Sequence, residues 1–163
     1  MAQVKIHKDG SVEALIGTQE IGGGERTVVW LVASMSFGYL PLGKIRVSMG
    51  DSDLPRSGAS GGSSTTGMIF REVREAATNA LKKLFDLAAK PLGADAGNLE
   101  VRSGGAIGVK GGGKSMSWDE ACSRIPDVLI GLIDSPIIPP DRWYVTDEEG
   151  VVLRQSGKDK YVS

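Results

Sequence analysis

Apolar and polar residues alternate in two short runs near the start of the chain, Val4 and Ile6, then Val12, Ala14 and Ile16. A period of two puts each apolar set on one face of a strand. The intervening Lys8-Asp9-Gly10-Ser11 supplies the turn, so the pair predicts a β-hairpin. The period then lengthens. Val28, Leu31, Val32 and Met35 fall at i, i+3, i+4 and i+7, which predicts a helix from about Glu25 to Phe37, stopped by Gly38 and Pro41. Ile45, Val47 and Met49 alternate again as a third strand. From Thr66 a longer stripe of Ile69, Val73, Ala76, Ala77, Ala80, Leu84, Leu87 and Ala88 predicts the longest helix. Arg71, Glu72, Arg74, Glu75, Lys82 and Lys83 lie outside the stripe, and Pro91 with Gly93 ends the helix.

Leu99 with Val101 and Ile107 with Val109 predict a second hairpin about Ser103-Gly104-Gly105. Ser117-Trp118-Asp119-Glu120 is a Ser-x-x-Glu capping box, which opens a short helix ended by Pro126. Residues 128–133 read as a buried run, and residues 136–163 as an extended, charged stretch without period. The order β-β-α-β-α-β-β-α favours an α+β fold: a two-layer sandwich with a mixed, mainly antiparallel sheet and two main helices packed on one face. Residues 1–125 are expected to form the lobe. Residues 126–163 are expected to be a linker or edge strand leading to a missing part.

The bulk composition narrows the function classes. With 163 residues and 40% hydrophobic content the chain suits one core. Nineteen Lys and Arg against 20 Asp and Glu leave a net charge of −1, which favours neither nucleic acid nor an anionic membrane surface. Cys122 stands alone and is expected to be a small helix side chain in a reducing compartment. The single histidine, His7, lies too far away in sequence to activate it. The first ten residues, MAQVKIHKDG, carry no apolar signal segment, so the expected location is cytoplasmic, or periplasmic if the chain is exported with a partner. Glycine is the outlier: 23 residues, about twice ordinary usage.

Two glycine-rich turns concentrate this excess, GTQEIGGGERTVV at residues 17–29 and SGGSSTTG at residues 60–67, each running into a helical segment. Backbone N–H groups at such a helix start suit phosphate or another anion, and two such turns suggest one ligand held from two loops. Tight chain reversals without a ligand are the plain alternative. Other motifs compete. GVKGGGKS at residues 108–115 satisfies the G-x-x-x-x-G-K-[ST] pattern of a nucleotide-binding P-loop, and the run ending at Asp134 imitates a magnesium-holding strand. The strand before it is short and polar, however, and the next helix starts at its own capping box, so a flexible loop before a capped helix fits better. Asp51-Ser52-Asp53 reads as an Asx-type turn and not a calcium loop. Glu20 and Glu25 complement the first helix's dipole, and neither has a second carboxylate at a spacing that would make an acid–base pair.

HKDGSVEALIGTQEIGGGERTVVWLVA, IRVSMGDSDLP, SGASGGSSTTG with its alanine-rich helix, the hairpin and KSMSWDEA follow one another in an order that resembles the molybdenum-binding large subunit of the xanthine dehydrogenase and aldehyde oxidase family, nearest its bacterial aldehyde oxidoreductase branch. The resemblance runs from about Ile6 to Ile125. It implies a molybdopterin-type cofactor, with Gly22, Gly23, Gly24, Gly61, Gly62, Ser63, Ser64 and Thr65 cradling the pterin and its phosphates. It implies no protein metal ligand and, in this stretch, no catalytic residue, since the family's glutamate lies near the far end of a much longer subunit. Glu25 in Gly22-Gly23-Gly24-Glu25 mimics that glutamate's motif but sits at the cofactor turn. The family's Met-Gly-Gln-Gly turn falls on Ile21, Gly22, Gly23 and Gly24, so a glutamine is replaced by Gly23.

The implied enzyme oxidises aldehydes or nitrogen heterocycles and passes electrons to iron–sulfur and FAD subunits. This chain would bind the cofactor, need the remainder of the molybdenum subunit for turnover, and self-associate if its apolar faces were left bare. A stand-alone, non-catalytic binding or scaffold module of the same fold is the alternative.

Overall fold

Val4 and Ile6 are fully buried and pair with the second run as the sequence predicts. β1 (Ala2–His7) and β2 (Val12–Ile16) are antiparallel, with Val4 opposite Ala14 and Ile6 opposite Val12. The computed structural model describes residues 1–55, 57–58, 60–133, 144–146 and 152–155. In the first unit, Met1–Ile133, α1 (Glu25–Ser36) carries the chain over from β2 to β3 (Ile45–Met49), which runs parallel to β2. This β-α-β crossover places α1 on one face of the sheet. α2 (Thr65–Leu92) packs beside it, and Gly93 closes α2 in the left-handed region at φ 67°.

β4 (Leu99–Val101), β5 (Ile107–Val109) and β6 (Ser115–Met116) form a small antiparallel sheet. α3 (Trp118–Cys122) follows, and Ser117 Oγ accepts from the Glu120 amide at 3.1 Å as the capping box requires. Buried Trp118 ties this region to the first hairpin. Its indole N–H donates to the Gly10 carbonyl at 2.8 Å, and its ring lies 5.3 Å from that of Phe37. The chain then returns to the main sheet. β7 (Val128–Leu132) pairs antiparallel with β1, giving the order β3-β2-β1-β7. The compact unit therefore runs to Ile133, past the boundary expected at Ile125, because β7 is a strand of the sheet and not part of a linker. In the second unit, Asp134–Ser163, β8 (Tyr144–Thr146) and β9 (Val152–Gln155) pair antiparallel. The rest of the extended stretch, Asp134 included, lies outside the described residues.

Two patterns on the helices differ from expectation. On α1 the buried residues are Glu25, Val29, Val32, Ala33 and Ser34, whereas Leu31 is 47% and Met35 50% exposed. The smaller residues face inward because α1 must lie close to α2, and the larger ones are left outside. On α2, Glu72 belongs to the buried stripe at 1% exposure. One carboxylate oxygen meets the Met1 ammonium group at 3.1 Å, and the other is buried with no hydrogen-bond partner among the described residues.

Candidate functional site

The exit of β2 and the segment after β3 are tied together by backbone. Gly17 N–H donates to the Pro55 carbonyl at 3.0 Å, and Thr18 N–H donates to Ser57 Oγ at 3.1 Å. A Cβ at position 17 would lie 2.6 Å from the Pro55 oxygen, so glycine is what allows this approach. Between them opens a cleft of about 500 Å³ lined by Gly17, Thr18, Gln19, Asp51, Ser57 and Ser60 among others. Thr18 is buried, and its hydroxyl has no hydrogen-bond partner among the described residues. Asp51 Oδ1 accepts from the Asp53 amide at 2.9 Å, the expected Asx turn. Among the described residues no cluster of His, Cys, Asp or Glu could hold a metal ion.

The two glycine turns feed the two main helices, as their sequences predict, but they differ in hydrogen bonding. In the first turn, Gly22 and Gly24 adopt φ of 94° and 80°. Glu20 accepts from the amides of Gly22 at 3.0 Å, Gly24 at 3.1 Å and Arg26 at 2.9 Å. Glu25, buried at 2% exposure, accepts from Ile21 at 3.3 Å and Gly23 at 3.0 Å. The Arg26 amide first, then the Glu25 side chain and the amides of Gly22 and Gly24, hold the Glu20 carboxyl down to about 2. Glu20 thus does the work of a cap, since Gly24 at the N-cap has no side chain to offer.

The second turn is open. Gly61, Gly62 and Ser63 are exposed, and Gly62 and Ser63 take φ of 56° and 59°. Ser64 folds back on the turn, donating from its amide at 3.1 Å and its hydroxyl at 2.7 Å to the Gly61 carbonyl. Ser64 makes no side-chain cap bond, and no described residue accepts from the amides of Thr65, Thr66 and Gly67. These donors, at the start of a helix of 28 residues, suit an anionic or hydrogen-bond-accepting group. The structure joins the roots of the two turns through Gly17–Pro55 and Thr18–Ser57. No hydrogen bond among the described residues joins Gly22, Gly23 or Gly24 to Gly61, Gly62, Ser63, Ser64 or Thr65. The molybdopterin that the sequence implies carries a phosphate. The second turn has donors for it, whereas the amides of Gly22, Gly23 and Gly24 in the first are already bonded to carboxylates.

The competing motif loses its geometry. Residues 108–115 run from the end of β5 through a tight turn into β6, with the Val109 amide donating to the Lys114 carbonyl at 3.1 Å and Gly111, Gly112 and Gly113 all at positive φ. A phosphate-holding P-loop opens into a helix, and this one opens into a strand. Cys122 is buried, and burial, with Asp119 adding to it, pushes its thiol up to about 12.

Residues 1–150 match the family described as the molybdopterin cofactor-binding domain. No curated protein matches the chain. Among solved structures it is similar to a Cu,Mo carbon monoxide dehydrogenase in its carbon monoxide reduced state, at 26% identity and a TM-score of 0.67, over 83% of this chain and 18% of that one. It is similar to a reconstituted carbon monoxide dehydrogenase from Oligotropha carboxidovorans at 26% identity and a TM-score of 0.66, over 83% and 18%. A quinoline 2-oxidoreductase from Pseudomonas putida 86, at 19% identity and a TM-score of 0.62 over 82% and 19%, shares the fold. The chain spans less than a fifth of the length of each of these. Matched by the family along most of its length, and sharing its α+β architecture with these solved structures, the chain belongs to the molybdopterin cofactor-binding domain family.

Proposed function

We propose that the chain is the cofactor-binding lobe of a molybdenum hydroxylase, holding a molybdopterin-type cofactor at Gly61, Gly62, Ser63, Ser64 and Thr65, with Gly22, Gly23 and Gly24 as the neighbouring wall. The observation that carries this reading is the uncapped start of α2, where three successive amides have no acceptor among the described residues, beside an exposed glycine-serine turn. Gly61 and Gly62 present no side chain and let a ligand reach the backbone. Ser63 and the α2 amides donate to it, and the helix dipole favours its negative charge. A bound molybdenum cofactor supplies a metal that changes oxidation state, and the chain's share is binding and orientation.

The substrates we assign are aldehydes or nitrogen heterocycles, and the partners are the remainder of a molybdenum subunit with iron–sulfur and FAD subunits. No described helix is long and apolar enough to cross a membrane. The test is titration of the purified chain with molybdopterin, followed by fluorescence. Saturable binding that Ser63→Trp abolishes is expected, and binding that is absent or indifferent to that change overturns the reading. A second reading, a non-catalytic module of the same fold, is favoured by the spent amides of the first turn. It falls if the loaded chain, with companion subunits added, gives substrate-dependent dye reduction.

A further inference from the structure

We infer that the chain's own carboxylates close the first glycine turn to anions: Glu20 sits among its amides as an internal anion, and an anionic ligand group can use the turn only by displacing it. The ligand's identity rests on the cofactor reading above, whereas the closure does not. Five donors, the amides of Ile21, Gly22, Gly23, Gly24 and Arg26, are all spent on two carboxylates, at 2.9 to 3.3 Å. An incoming phosphate would meet Glu20's negative charge, and these five amides would have no hydrogen bond left to offer it.

The two acids are not equivalent. Glu25 is buried and fixed, and a Cβ at position 23 would run into its Oε1 and lie 3.1 Å from its Cδ. Any side chain at 23, such as the glutamine that the resemblance leads one to expect there, is incompatible with Glu25 in this position. Gly23 is therefore what leaves room for Glu25 to fold inward. Glu20, in contrast, is exposed and makes its three bonds at the surface, so it can rotate out without opening the core. Glu25 is the fixed floor of the turn and Glu20 its removable cover. At α2 no carboxylate among the described residues plays this part, and the amides there are the ones an anion reaches first.

The test is a titration of the isotope-labelled chain with inorganic phosphate at constant ionic strength, read as amide shifts. In the unaltered chain the amides of Thr65, Thr66 and Gly67 should move, and those of Gly22, Gly24 and Arg26 should stay. In Glu20→Ala the first-turn amides should respond at phosphate concentrations about tenfold lower than in the parent. Glu20→Gln, which keeps the length and loses the charge, should do the same, and a dispersed spectrum verifies folding of both variants. Closure is overturned if the first-turn amides of the parent move in the same range as Thr65, or if both variants behave like the parent. Failure of Thr65, Thr66 and Gly67 to respond, with the first turn behaving as stated, counts against the cofactor site at α2 and leaves the closure standing.

Discussion

Gly131 of β7 lies against Ala76 of α2 so closely that a Cβ on Gly131 would overlap the Ala76 carbonyl oxygen and crowd the Ala80 amide. On either side, Lys83 Nζ donates to the Ile130 carbonyl and Asn79 Nδ2 to the Leu132 carbonyl, both at 2.8 Å, so α2 clasps the strand at three successive residues. The obstacle is backbone, which cannot rotate away as a side chain can. Gly131→Ala should therefore cost about 3 kcal/mol or more, read from urea unfolding. A loss below about 1 kcal/mol would mean that β7 can lift from the helix freely.

Glu20 predicts an acid response. Its carboxyl titrates near 2, below the ordinary 4.5, so its contribution to stability is fully present above about pH 4.5 and is lost as pH falls towards 2. Over that window the amides of Gly22, Gly24 and Arg26 should lose hydrogen-exchange protection before the β1–β2 pair does. Glu20→Gln should weaken the same protection at neutral pH and respond less to acid.

Glu72 behaves in the opposite sense. Burial raises its carboxyl above the ordinary range, against the pull of the Met1 ammonium group and of Arg71. A carboxyl raised in the folded chain contributes fully below its unfolded value and loses that contribution as pH rises through the folded one. Glu72→Gln should therefore be more stable than the parent at pH 8, with the difference shrinking towards pH 4. Thermal melts at the two pH values check this, and equal differences at both would contradict it.

Cys122 should be inert. A buried thiol titrating at about 12 offers almost no thiolate at pH 8, so iodoacetamide should label it only in denaturant. Rapid labelling of the native chain, followed by mass spectrometry, would refute the placement of α3.

Leu31, Met35 and Phe70 form an exposed apolar strip where α1 meets α2, with the Arg74 guanidinium 5.8 Å above the Phe70 ring. Such a strip promotes association when nothing covers it. At concentrations where the parent sediments as a larger species, Leu31→Asp with Met35→Asp should sediment as monomer, while changing unfolding stability by no more than about 0.5 kcal/mol each. A large loss of stability would show that the strip is core.

Much of this architecture was legible because it is local. Alternation about Lys8-Asp9-Gly10-Ser11, the alanine stripe of α2 and the Ser117 capping box each hold within a few residues of chain. What escaped depends on neighbours distant in sequence. Val28, Leu31, Val32 and Met35 obey helical spacing as well as Val29, Val32 and Ala33 do, and only the close approach of α2 selects the smaller set. Glu72 looks like a surface acid until Met1 is placed beside it. At the candidate site the glycines and helix starts were readable, but the inward fold of Glu25 was not. No periodicity signals it, and Gly23 gives the only clue, a missing side chain that leaves room for another.

The place of β1 between β2 and β7 bears on how the chain folds. One edge of β1 is paired by the residues that follow it, while the other waits for a strand at the far end of the unit. Forming the first pair closes a short loop, and forming the second closes nearly the whole unit, with a correspondingly greater entropic cost before any contact repays it. Until β7 arrives, β1 presents an open edge that another chain could pair with, so the interval before β7 docks is when aggregation competes with folding.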